Sequence, residues 1–300
     1  MKITKLLTIL IASSGFAFSS CEKEDKLDSK SVFVDSEIPK NALDNYIYNQ
    51  FVKPYNINIL YKYVDKESDM AYHLVPAPYE ASIRLTKLLL HLGIEPYNDV
   101  TGGKDFILKN YPKLFTFTGS VQVKNNGSVV LGTAEAGTKV ALFNLLNLNA
   151  TNSTNVTWLN TYFFKTVHHE FEHILNQNKP YPSNFASITG TSYVEDEWTT
   201  KYTTNGAAVA AGFISPYAAK AHTEDFAELY SIYITRSQAD FEAILNSTGA
   251  TDAGRAIVRT KLSIVKNYMK SEWGIDMDIL RANILNRYAN LSSFDQTTLN

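Results

Sequence analysis

The sequence predicts an α+β fold, with a small mixed or antiparallel sheet in its N-terminal half and a mostly helical C-terminal half. Two observations carry this. Alternating apolar residues, the period of a half-buried strand, are confined to segments before residue 147. From about Val156 onward the apolar spacing becomes helical and stays so. Strands first and helices later point to α+β rather than to alternating βαβ units. No internal repeat or long low-complexity tract is visible, which argues against solenoids and propellers.

The first segment stands outside the fold. Lys2 and Lys5 precede an apolar run from Leu6 to Phe18, interrupted by Thr8, Ser13, Ser14 and Gly15, and then comes Phe18-Ser19-Ser20-Cys21. This is the layout of a secretory signal peptide over residues 1–20, too short for a stable membrane span. Cys21 is the only cysteine in the chain. It follows small residues where a bacterial lipoprotein is cleaved and acylated, so it is expected to carry the lipid that holds the protein on a membrane. Residues 21–38, opening Glu22-Lys23-Glu24-Asp25-Lys26, are charged and have little apolar content until Val32, which predicts a solvated tether. Lys23 followed by two acidic residues is similar to the export signal of some Gram-negative surface lipoproteins. The expected address is therefore the outer membrane, facing the periplasm or the cell surface.

The remainder, residues 39–300, is expected to be one domain with room for two lobes parted near residue 180. Ala42, Leu43, Tyr46, Ile47, Phe51 and Val52 have helical spacing that stops before Pro54. Ile57, Ile59, Tyr61 and Tyr63 alternate, predicting a strand over 56–64. Residues 79–92 read as an apolar helix closed by Gly93. Residues 114–123 alternate, Asn125-Asn126-Gly127 is a turn signal, and 128–131 return, which makes a hairpin. Residues 139–146 form another strand candidate. Helices follow over 156–177, 223–235, 238–245, 253–269 and 277–288.

Composition sets limits on partners. With 45% hydrophobic and 19% charged residues the balance is that of an ordinary globular chain, and a formal charge of −2 implies no basic face for nucleic acid.

One stretch bears chemistry. His168-His169-Glu170-Phe171-Glu172-His173 holds three of the six histidines, and 169–173 reads H-E-x-x-H. On a helix, positions i and i+4 share a face, so His169 and His173 can reach one ion. Imidazole nitrogen suits zinc, whose catalytic sites leave one position open for water. Glu170, next to the first ligand, is placed to take a proton from that water rather than to bind metal. Phe164, Val167, Phe171, Ile174 and Leu175 make the helix strongly apolar, so the cluster should be buried, and buried ionisable groups need partners. His168 points about 100° away from His169 and reads as a backing or surface group. Glu172 reads as a solvated or hydrogen-bonded carboxylate.

Two histidines leave a third ligand to find. No histidine follows His173 locally, and His73, His91 and His222 read as packed or surface imidazoles. Glu224 and Glu228 stand four apart, on one helical face beside Phe226, Ala227 and Leu229. One of them can ligate the metal while the other accepts a proton from a ligand imidazole. Glu195 and Glu197 are a rival pair nearer in sequence, set in a polar stretch.

His169-Glu170-x-x-His173 followed downstream by Glu224-x-x-Ala227-Glu228 resembles the Glu-zincins, metallopeptidases with two His and one Glu on zinc. Tyr217, shortly before Glu224, is similar to the active-site tyrosine of the anthrax lethal factor group, although Asp225 stands where that group has an aromatic residue. Leu43-Asp44, Phe51 and Pro54-Tyr55-Asn56-Ile57, with Glu224-Asp225-Phe226-Ala227-Glu228, resemble a family of zinc-binding metallopeptidases among bacterial lipoproteins, over about residues 40–290. The resemblance implies a zincin-like fold, one Zn2+ per chain on His169, His173 and Glu224, and Glu228 behind them. It also implies a zinc metalloendopeptidase acting on extracellular or periplasmic peptides and proteins, with Glu170 as base and Tyr217 as a donor to the oxyanion. A free edge strand within 127–146 would hold the substrate extended, and outer-membrane uptake machinery is a candidate partner. The rival readings are a non-catalytic surface lipoprotein that binds glycan or protein with structural zinc, and a peptidase fold serving as an assembly or transport accessory.

Overall fold

The computed structural model describes residues 39–67, 72–123, 129–130, 132–135 and 139–299. The expected signal peptide, Cys21, the tether and the turn at 125–127 lie outside them.

Helix α1 spans 42–55. It starts on a reciprocal cap, in which the Asn41 side chain accepts from the Asp44 amide and the Asp44 carboxylate accepts from the Asn41 amide. Leu43, Ile47 and Phe51 form its buried stripe. The helix does not stop before Pro54 but runs through it to Tyr55, and Asn56 ends it in the left-handed region with φ 53°. The wider π-helical turn over Tyr48–Val52 accounts for this, because it frees the proline ring from the carbonyl clash of a tight α-turn. Strand β1 is shorter than expected, only Asn58–Leu60.

Helix α2 runs over 79–101, past Gly93, and closes at Gly102 with φ 75°. Gly93 serves packing instead: a Cβ there would come 2.9 Å from the Tyr111 hydroxyl. The short helix α3 (Asp105–Asn110) leads into β2 (Leu114–Phe117). The expected arm over 114–123 breaks after Phe117: β2 pairs parallel with other strands, and only β3 (Gln122–Val123) pairs antiparallel with β4 (Val129–Val130) as a hairpin. Strands β5 (Gly132–Glu135) and β6 (Lys139–Leu142) complete the set; β6 ends earlier than the apolar run because Asn144 turns the chain at φ 73°. The main sheet has the order β1-β2-β6-β5, with β1, β2 and β6 parallel and β5 antiparallel on the edge. Ile59, Phe115 and Val140 lie in register across it and are buried. The sheet is therefore mixed, and helices α1 to α3 are interleaved with its strands rather than following them.

Helix α4 (156–178) is the central element of the second half. A π-helical stretch over Asn160–Phe164 precedes its regular part, Lys165–Asn178. There the buried Asn160 donates to the Thr235 carbonyl and accepts from the Tyr288 hydroxyl. Phe164, Val167, Phe171 and Leu175 form a fully buried stripe at helical spacing. Short helices α5 (Asn184–Thr189), α6 (Trp198–Lys201) and α7 (Asn205–Ala210) follow. Helix α8 (His222–Thr235) packs on α4 and is buried from Asp225 onward. Helices α9 (Gln238–Leu245), α10 (Asp252–Trp273) and α11 (Met277–Ala289) close the fold. Asp225 is explained by α10: Lys261 donates to it at 2.5 Å, and to Thr189 and the Gly212 carbonyl, with both charges buried. An ion pair thus occupies that position in place of an aromatic contact. Burial lifts the Asp225 carboxyl to about 6 even against Lys261. No described helix is long and apolar enough to cross a membrane.

Candidate metal centre

Two helices meet at the site. From α4 come His169 and His173, one turn apart; from the first turn of α8 comes Glu224. Nε2 of His169 lies 3.1 Å from Nε2 of His173, and Oε2 of Glu224 lies 3.0 Å from the first and 3.3 Å from the second. Four-coordinate zinc with bonds near ~2.0 Å at tetrahedral angles has ligand atoms about 3.3 Å apart. The three donor atoms thus form one face of such a tetrahedron, with nitrogen and oxygen donors of the right chemistry. Among the described residues no other group of His, Cys, Asp and Glu converges this way.

The charges around this face set the protonation of its donors. Burial pushes the Glu224 carboxyl up, but hydrogen bonds from His169 and His173 hold it well below the usual carboxylate range. Burial opposes charging His169, yet Glu224 and Glu228 outweigh it and raise the imidazole to about 9. Glu228, fully buried on α8, lies behind His169: its Oε1 is 3.1 Å from Nδ1, although poorly aligned for a hydrogen bond. Burial raises this carboxyl too, and Lys165 and His169 more than reverse the effect.

Lys165 and Ser215 belong to the site although the sequence reading passed over them. Lys165 donates to Glu228 Oε1 at 2.6 Å, and Ser215 donates to Oε2 at 2.7 Å. Lys165 stands four residues before His169, the same face, and that spacing was the available signal. Ser215 also caps the turn that carries Tyr217, through the Ala218 amide; nothing in its local sequence marks it.

Glu170 is half-buried beside the two histidines. Burial raises its pKa, Glu224 and Glu228 add to the shift, and His169 and His173 partly offset it. The Tyr217 ring lies 5.9 Å from that of His169, braced edge-on by Trp198 at 5.3 Å. Burial first, and then Glu224, push its hydroxyl above the ordinary range, so it stays a protonated donor. Glu195 and Glu197 are exposed on a 3-10 turn and take no part in the cluster. His73 is exposed, and His91 stacks on Phe294 at 4.0 Å.

Two neighbours differ from expectation. His168 is neither solvent-facing nor behind a ligand; it is fully buried with Nδ1 2.8 Å from the Tyr97 hydroxyl, and burial lowers it to about 3. Glu172 is fully buried, and neither carboxylate oxygen has a hydrogen-bond partner. Desolvation raises it far above the carboxylate range, which makes it a neutral acid rather than a solvated anion. Both lie on the face of α4 turned to the aromatic core around Tyr97 and Tyr230, where a helix this apolar buries whatever falls on that side.

Residues 36–278 match the model of a family described as "Putative zinc-binding metallo-peptidase". The chain is also similar to a crystal structure from Bacteroides caccae, itself described as a putative zinc-binding metallo-peptidase. The two are 33% identical with a TM-score of 0.73, over 90% of this chain and 100% of that one. No curated protein matches.

Proposed function

The chain belongs to the family described as "Putative zinc-binding metallo-peptidase", and on that premise we propose that it is a zinc-dependent peptidase of the Glu-zincin type. One observation carries the reading: His169, His173 and Glu224 offer three donor atoms at tetrahedral spacing, with the half-buried base Glu170 beside them.

Zinc held by His169, His173 and Glu224 supplies Lewis acidity toward water and toward the scissile carbonyl. Glu170 takes a proton from the attacking water as its oxygen bonds to the carbonyl carbon. As the C–N bond breaks, Glu170 passes that proton to the departing amine nitrogen, leaving a carboxylic acid and an amine, and transfer of the acid's own proton gives carboxylate and ammonium. Tyr217, protonated, donates to the oxygen that gains charge. Glu228 orients His169 through Nδ1 and is itself held by Lys165 and Ser215. The edge strand β5 is suited to pair with an extended substrate.

The test is Glu170→Gln, which keeps size and removes basicity. Zinc content should stay at one per chain while peptide hydrolysis falls by roughly 10²–10⁴-fold. Near-native turnover in that variant would sink the mechanism, and a wild-type chain purified without affinity for zinc would sink the site.

For location we propose a lipid anchor at Cys21 on the outer membrane, within reach of uptake machinery there. The support is the basic start, the apolar run and the single cysteine after Ser19-Ser20. Each buried acyl methylene adds about 0.8 kcal/mol of membrane affinity, so several chains hold stably. Cys21→Ala should move the protein from the membrane to the soluble fraction; wild-type protein found soluble overturns the anchor.

A further inference from the structure

Against the His173 side of the metal centre lies a cavity of about 460 Å3, inside the roughly 300–1,000 Å3 range of small-molecule pockets. His173 and Asn176 form its wall from α4, His222 closes it from the start of α8, and Pro180, Tyr181 and Ala186 come from the segment between. No Asp, Glu, Lys or Arg among the described residues lines it, and its surface is mostly apolar.

The wall is built in advance of any ligand. Tyr181 stacks on the buried Phe226 at 4.2 Å with 13° between planes, and Phe185 meets its edge. Its hydroxyl is tied to Nδ1 of His222 at 2.6 Å. Phe226 is the neighbour of Asp225, whose bond to Lys261 pins this part of α8. A rigid aromatic wall costs little ordering entropy when a ligand arrives.

Resting on the peptidase reading above, we propose that this cavity receives the side chain of the residue adjoining the cleaved bond, and that it selects a large uncharged apolar side chain, aromatic or aliphatic. Contiguity is the first argument. His173 both offers its Nε2 to the metal face and lines the cavity, so a group seated there is within one residue of the scissile carbonyl. Chemistry is the second. A charged side chain entering would lose its hydration and meet no counter-charge, whereas an apolar one gains by leaving water. Size is the third: a cavity of about 460 Å3 has room for a ring, and Ala186 contributes no more than a methyl group to its lining.

The test separates pocket from metal. Zinc-loaded full-length Glu170→Gln protein is titrated by calorimetry with peptidyl hydroxamates carrying Gly, Leu, Phe, Lys or Asp at the variable position. Hydroxamates need the metal but not turnover. Leu and Phe should bind at least about 10-fold tighter than Gly, the lower end of what a single methylene is worth in an apolar pocket, with Lys and Asp no better than Gly. In the double variant with Ala186→Phe, the Phe-to-Gly affinity ratio should fall about 10-fold at unchanged zinc content. Binding of all five alike, a preference for Lys or Asp, or an unchanged ratio in the double variant overturns the pocket assignment and leaves the metal site standing. Failure of every hydroxamate to bind zinc-loaded protein overturns the metal site and the pocket with it.

Discussion

Glu228 is the residue on which the site's charges converge. It is buried, yet Lys165, Ser215 and Nδ1 of His169 all face its two oxygens. A buried anion with three such neighbours fixes the orientation of the imidazole it backs. Glu228→Ala should weaken zinc binding by about 10–100-fold, as loss of such a supporting carboxylate does, read as zinc affinity against a competing chelator. Tyr217→Phe should leave that affinity unchanged and lower kcat by about 10²–10³, or about 2.7–4 kcal/mol; an unchanged kcat removes Tyr217 from the chemistry. At this scale the sequence was most readable where spacing alone places residues together. His169 and His173 needed only helical geometry, and Glu224 with Glu228 only a shared face. Glu172 is not legible in this way, because the rings near it, Tyr97, Tyr230 and Tyr268, arrive from other elements.

Helices with a clear apolar stripe were legible nearly to the residue. The 238–245 prediction coincides with α9, and those for α8, α10 and α11 fall within a few residues of their ends. The misses have a common cause. Gly93 and Pro54 are local stop signals, and the helices run past both through π-helical turns, over Leu89–Ile94 and Tyr48–Val52. Helices α5 to α7 are too short to show a period, and tertiary contacts order them. One is the approach of α10 to α7, where a Cβ on Gly254 would come within 2.0 Å of the Val209 carbonyl. The parallel pairing of β1, β2 and β6 was likewise hidden, because a three- or four-residue strand looks the same in either direction. What the missed short helices position is concrete: Tyr181 and Ala186 of the cavity lie on the segment that includes α5.

In the whole molecule the metal face joins two helices that are far apart in the chain, so zinc should hold the fold as well as the substrate. Zinc at 100 times its Kd stabilises by about 2.7 kcal/mol, which in a domain of this size is a Tm shift of about 5 °C. Chelation should lower Tm by that order in wild type and in Glu170→Gln, and by much less in His169→Ala. The shift should also depend on pH, and its sign follows from His169. In chelated protein Glu224 and Glu228 raise His169 to about 9 from 6.5 against its burial. A raised folded pKa stabilises fully below about 6.5 and is lost as pH climbs through about 9. Zinc requires the neutral imidazole and displaces that proton. Between pH 6.5 and 9, therefore, the chelated protein loses the His169 contribution while zinc competes with fewer protons. The Tm gap between zinc-loaded and chelated protein should widen steadily across that window at fixed free zinc, as differential scanning calorimetry would record. A gap that stays constant or narrows as pH rises would show that His169 is not the group zinc deprotonates.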